Sequence, residues 1–141
     1  MDEKIEEKSC VIVIDETLPP GTAANTAAII GVTLGKRHPE AVGPDVTDGD
    51  GTAHGGIIMI PVPVLKAKTE TLRTLREKMR EAGNDADFVD FSDVAQHCRT
   101  YEEYTEKTAR IAERDFTYIG LGIFGPRRTV KKLTGSLPLL R

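Results

Sequence analysis

Cys10-Val11-Ile12-Val13-Ile14 opens the stretch that decides the fold, which continues through Asp15-Glu16-Thr17-Leu18-Pro19-Pro20-Gly21 into Thr22-Ala23-Ala24-Asn25-Thr26-Ala27-Ala28. An unbroken β-branched apolar run predicts a strand covered on both faces, because a strand with one wet face alternates. Acidic residues, proline and glycine then break the run with loop chemistry. From about Thr22 to Lys36 small and aliphatic residues dominate, which predicts a helix whose alanines let it approach a sheet closely. Gly35 and Pro39 mark its end.

Further strands are expected at Ile57–Ile60 with Val62–Leu65, at Ala86–Phe91 and at Phe116–Phe124. Pro61 and Pro63 cannot donate to a ladder, so the first of these belongs at an edge or a bulge. Val46-Thr47-Asp48-Gly49-Asp50-Gly51 carries the Asp-Gly mark of a tight turn. Thr69–Gly83 is the clearest helix: Leu72, Leu75, Met79 and Ala82 share one apolar face, and Gly83 is its stop. Ser92–Arg114 reads as helical, with Tyr101, Tyr104, Thr108 and Ile111 on one side. Gly125-Pro126 opens a short final helix with Val130, Leu133 and Leu137 on its apolar side. Strands alternating with helices predict an α/β fold: a four-stranded mixed, mostly parallel sheet with helices on both faces. No linker divides the 141 residues, so residues 1–141 are expected to form a single domain.

Composition narrows the function classes. With 39% hydrophobic and 29% charged residues the chain is globular, and no apolar run nears the roughly 18 residues that would span a bilayer. The charged start, Met1 to Lys8, is unlike a secretory signal, so a cytoplasmic location is expected. A net charge of −3 gives no general attraction to nucleic acid. Cys10 and Cys98 are expected to be reduced, buried or half-buried thiols. His38, His54 and His97 form no metal-ligand pair, and Asp45, Asp48 and Asp50 lack the later glutamate of a calcium loop, so neither metal nor cofactor is expected.

Gly120-Leu121-Gly122-Ile123-Phe124-Gly125 is a literal GxGxxG. It lies inside the last strand rather than between a first strand and a long helix, so its glycines are read as permitting close packing. The helix start at Pro126 with Arg127 and Arg128 is an anion-site candidate, because free N–H groups and guanidinium groups both suit a phosphate. Asn25, an amide on a helix of small apolar residues, is either a satisfied structural group or a polar contact in a cleft.

Two stretches carry a family likeness. Thr117-Tyr118-Ile119-Gly120-Leu121-Gly122-Ile123-Phe124-Gly125-Pro126, running on to Thr134-Gly135-Ser136-Leu137, resembles the closing strand and helix of the type-2 peptidyl-tRNA hydrolases. At the start, the apolar strand, the Asp15–Leu18 loop and Ala23-Ala24-Asn25 resemble that family's strand, loop and Ala-Ala-Gln helix. The strand–loop–helix also resembles a bacterial and archaeal family of unknown function placed in the same superfamily. The resemblance implies a ligand cleft at the first helix, near Asp15, Gly21, Thr22 and Asn25, with Asp93 in the position of a catalytic aspartate. It departs from the hydrolases where their lysine becomes Gly21, their glutamine Asn25, and their serine and histidine Ala27 and Ala28. A donor aimed at a developing oxyanion is worth roughly 10²–10³ in rate. The expected function is therefore binding of a small anionic or nucleotide-like ligand without efficient peptidyl-tRNA cleavage. The alternatives are a hydrolase of aminoacyl or peptidyl esters acting on tRNA, and a homodimeric interaction domain, since relatives in that superfamily commonly pair.

Overall fold

The computed structural model describes residues 4–81 and 85–141. The apolar run becomes strand β1 (Lys8–Asp15), and the small-residue stretch becomes helix α1 (Pro20–Arg37). Gly35 lies inside this helix, which ends two residues later where the His38 N–H reaches the Leu34 carbonyl. A small hairpin follows, β2 (Val46–Thr47) against β3 (Ala53–His54), and then β4 (Val64–Ala67). Next come α2 (Thr69–Glu81), β5 (Asp87–Ser92), α3 (Asp93–Gln96), α4 (Tyr101–Arg110), β6 (Tyr118–Pro126) and α5 (Arg127–Thr134). Ala82 and Gly83, expected to close the apolar face and stop α2, lie outside the described residues.

The sheet is four-stranded and mixed, in the order β4-β1-β6-β5. By neighbouring pairs it is not mostly parallel: β1 with β4 is the one parallel pair, and β6, the one strand that runs against the other three, is antiparallel to both β1 and β5. The connections explain this. A helix crossover carries the chain from β1 to β4, whereas β6 enters between β1 and β5 in the opposite direction, a pattern that hydrophobic periodicity does not reveal.

Alternation along β1 separates the two faces. Cys10, Ile12 and Ile14 pack under α1 with Ile30 and Leu34, while Val11 and Val13 pack with Leu72, Leu75 and Met79 of α2 and Val130 of α5. Burying each such aliphatic side chain is worth about 1.5–3 kcal/mol. The expected strand at 57–60 does not form; Ile58 makes only an isolated bridge to Val42, and pairing with β1 begins beyond Pro63, whose carbonyl accepts from the Ile12 N–H. β4 is an edge strand, one of the two places the prolines allowed. Residues beyond α5 return along it, with Lys66 N–H bonded to Pro138 O and Leu140 N–H to Val64 O.

Gly120 and Gly122 of β6 sit directly under α1. A Cβ on Gly120 would lie 2.6 Å from a Thr26 methyl and 2.8 Å from Ile30, so the GxGxxG match serves packing rather than a nucleotide loop. Among the described residues no helix is long and apolar enough to cross a membrane, and no group of three metal-capable side chains exists.

Candidate functional site

The end of the sheet where β1 stops and α1 begins was the expected ligand cleft. Ser92 pairs with Tyr118 and Ile14 with Gly120, so Asp15 and Asp93 do come to the same end, on either side of the start of β6. Both carboxylates carry structural bonds there. Asp15 is buried and accepts from the Thr17 N–H (3.0 Å) and the Thr17 hydroxyl (2.9 Å), which shapes the turn into α1. Asp93 accepts the Thr117 N–H (3.0 Å) while its own N–H bonds the Thr117 carbonyl (2.9 Å), bridging the irregular start of β6.

Thr22 is half-buried, and its carbonyl accepts from the buried Thr26 hydroxyl (2.8 Å). Gly21 and Asn25 lie on the exposed surface of α1. Asn25 is thus not a buried structural amide. Arg127 and Arg128 are at the opposite end of the sheet, beyond the Lys8–Pro126 pairing, and Arg127 donates to the Glu6 carbonyl. They share no site with Asp15, Asn25 or Asp93.

The acidic hairpin is a turn. The Asp48 carboxylate accepts from the N–H groups of Asp50 (2.9 Å) and Thr52 (3.0 Å) and meets His54 Nε2 at 2.8 Å. The His54 bond, then those backbone donors, hold its carboxyl below the ordinary aspartate value. Both cysteines are free: Cys10 is buried, which pushes its thiol up to about 11, and Cys98 is half-buried.

A more open site lies along β5. Ile12 donates to the Pro63 carbonyl just before β4, so alternate residues of β1 turn their main chain to β4 and to β6. Carried through the register, the same alternation turns Gly120, Gly122 and Phe124 toward β5, where they meet Phe91, Val89 and Asp87. The main-chain groups of Phe88 and Asp90 therefore face away from the sheet. Independent evidence is the Arg37 guanidinium, which donates to the Phe88 carbonyl from that side (3.0 Å).

A groove of about 780 Å³ runs along this free edge, touching Asp87 through Phe91. Its volume is within the roughly 300–1,000 Å³ of ordinary ligand sites. One wall is α1, through Ile29, Thr33 and Arg37; the other is Cys98, Arg99, Tyr101 and Tyr104 from α4 and the link before it. None of Asp15, Gly21, Thr22, Asn25 or Asp93 lines it.

Charge in the groove is mostly paired. Arg37 binds Asp87 (2.9 Å), which also meets His38 Nε2 at 2.8 Å, and Arg76 Nε binds Asp90 (2.9 Å). Arg76 also lies 4.9 Å from the centre of the Tyr118 ring, and its Nη1 is buried without a hydrogen-bond partner among the described residues. Burial works against its charge, but the bond and field of Asp90 outweigh that and raise its pKa. The Tyr104 hydroxyl is also raised, first by burial and then by Asp90. Tyr101 and Tyr104 pack edge to face with ring centres 5.6 Å apart. The Arg99 guanidinium has no partner among the described residues.

This site was not foreseen. The available signal was Asp87 and Asp90 within an otherwise apolar strand, because charge in a strand marks an edge. What the sequence could not supply was the helix break at Arg99-Thr100, where the Thr100 hydroxyl caps α4 by accepting from the Glu103 N–H (3.1 Å) and turns the tyrosines over the groove.

A family profile described as "Protein of unknown function (DUF2000)" matches residues 8–141. No curated protein matches the chain. Among solved structures, a protein of unknown function from Agrobacterium tumefaciens strain C58 is similar with a TM-score of 0.85, covering 94% of this chain and 97% of that one at 15% identity. At that identity the likeness speaks for the fold alone.

Proposed function

The chain belongs to the DUF2000 family of proteins of unknown function, and from that premise we propose that it is a binding module rather than an ester hydrolase, with the groove along β5 as its site for a small anionic ligand. The observation that carries this reading is Arg99. It is a cation without a partner among the described residues, on the wall of a ligand-sized groove beside two tyrosine rings. Arg37 and Arg76 neutralise Asp87 and Asp90, so Arg99 leaves the groove with one net positive charge. The rings add flat apolar surface for an aromatic or nucleotide-like group.

The wording of the first helix and the last strand also supports membership of the type-2 peptidyl-tRNA hydrolase-like superfamily, as a branch that does not cleave peptidyl-tRNA. Gly21 stands where those enzymes have their lysine. Asp93, the remaining candidate catalytic carboxylate, spends one oxygen on the Thr117 N–H.

Thermal unfolding in the presence of millimolar phosphate, mononucleotides, dicarboxylates and short acidic peptides tests the reading. At least one should stabilise the wild-type protein, by about 2.7 kcal/mol at a hundredfold excess over Kd, and Arg99→Ala should lose the effect. No stabilisation by any probe would overturn it. So would turnover of peptidyl-tRNA that Asp93→Asn abolishes.

A further inference from the structure

We propose that the ligand of this groove is an extended acidic peptide that adds to the sheet beside β5 as a further strand, an inference that rests on the groove being the binding site. The two edges of the sheet are treated differently. The β4 edge is occupied by the chain itself, through Pro138 and Leu140. At the β5 edge the groove opens onto the outward main chain of Phe88 and Asp90. Arg37 occupies only the Phe88 carbonyl. The Phe88 N–H, the Asp90 N–H and the Asp90 carbonyl have no partner among the described residues.

Those three groups read donor, donor, acceptor along one line. An antiparallel strand answers them all: its residue opposite Asp90 exchanges two hydrogen bonds, and its residue opposite Phe88 accepts a third. Five residues of β5 span about 17 Å, so the groove suits a peptide of about that many residues. Main-chain pairing supplies affinity in this mode, and side-chain environments on alternate sides supply selectivity.

The two sides of the added strand would differ. Side chains pointing toward α1 meet Ile29 and Thr33; those pointing the other way meet Phe88 and Tyr104. The carboxylates of β5 are already bound by Arg37 and Arg76, which leaves Arg99 as the charge that selects an acidic side chain or a terminal carboxylate.

The test uses the full chain, 15N-labelled, with an acetylated pentapeptide alternating valine and glutamate, the same peptide N-methylated at every second residue, and adenosine diphosphate. Expected is binding of the unmodified peptide with shifted and exchange-protected Phe88 and Asp90 amides. The N-methylated peptide should bind at least tenfold more weakly, and Arg99→Ala should weaken the unmodified one. Equal binding of both peptides, or perturbation at Arg99 and Tyr101 by the nucleotide alone, would overturn the strand-addition inference while leaving the groove as a ligand site. If none of the three probes perturbs residues 88–104, the strand-addition inference fails; the proposed function would fail with it if the wider anion panel also gave no stabilisation.

Discussion

Ile30 occupies the space that a side chain on Gly122 would need. A Cβ there would run into the Ile30 γ-methyl group and lie 2.9 Å from Leu34 Cδ1. Helix α1 rests on β6 because this strand offers no side chain at Gly120 or Gly122, and the helix offers Ile30 and Leu34 in their place. Gly122→Ala should therefore overpack the interface and destabilise the protein by about 1–3 kcal/mol, read from a denaturant midpoint. Gly49→Ala, where a Cβ meets nothing within 4 Å, is the control and should stay within about 0.5 kcal/mol of wild type.

This contact also shows how much was legible in the sequence. The unbroken apolar run of β1, the alanines of α1 and the glycines of β6 each announced close packing, and the layers follow from them. Strand direction was not legible, because an apolar run buried on both faces looks the same parallel or antiparallel. The candidate site was less accessible still. Asp15 and Asp93 lie at one end of the sheet, but whether a carboxylate is free or bonded to a backbone N–H depends on turn geometry that composition does not record. The β5 groove depends on residues 37, 76, 87 and 99 meeting from three elements and the link before α4.

Glu113 should make stability depend on pH. It accepts from the Tyr118 hydroxyl and pairs with Arg73 (2.9 Å), and these bonds, Tyr118 first, hold its carboxyl below the ordinary glutamate value. A depressed folded pKa contributes stability that is complete above the unfolded value, near pH 4.5, and is lost as pH falls through the folded one. Glu113→Gln should thus be less stable than wild type at pH 6 by under about 1 kcal/mol, the pair being partly exposed to solvent. The gap should narrow toward pH 3, measured by urea titration at each pH.

The two thiols should differ in reactivity. Cys10 is 3% exposed with its pKa pushed up to about 11 by burial, whereas Cys98 is half-buried on the wall of the groove, its thiol donating to the Val94 carbonyl (3.1 Å). An aromatic disulfide reagent at pH 8 should label Cys98 in the native protein and reach Cys10 only on unfolding, because the thiolate is the nucleophile and burial withholds both it and access. Peptide mapping of the labelled protein assigns the sites. Native labelling of Cys10 at a rate matching Cys98 would contradict the packing of β1.

Asp93 separates a catalytic role from a structural one. Its carboxylate satisfies the Thr117 N–H at the point where the register of β5 and β6 shifts, between Phe91 and Ser92. A structural role requires only an acceptor oxygen there. Asp93→Asn keeps one and should unfold within about 0.5 kcal/mol of wild type, whereas Asp93→Ala gives that solvent-exposed N–H to water and should cost about 1–1.5 kcal/mol. A catalytic carboxylate would behave the other way: asparagine, unable to carry the charge or move a proton, would be as damaging to turnover as alanine. Measuring stability and peptidyl-tRNA cleavage on the same three proteins therefore discriminates the two. The bond to Thr117 predicts that stability will split the variants, with asparagine beside wild type, while cleavage is absent from all three.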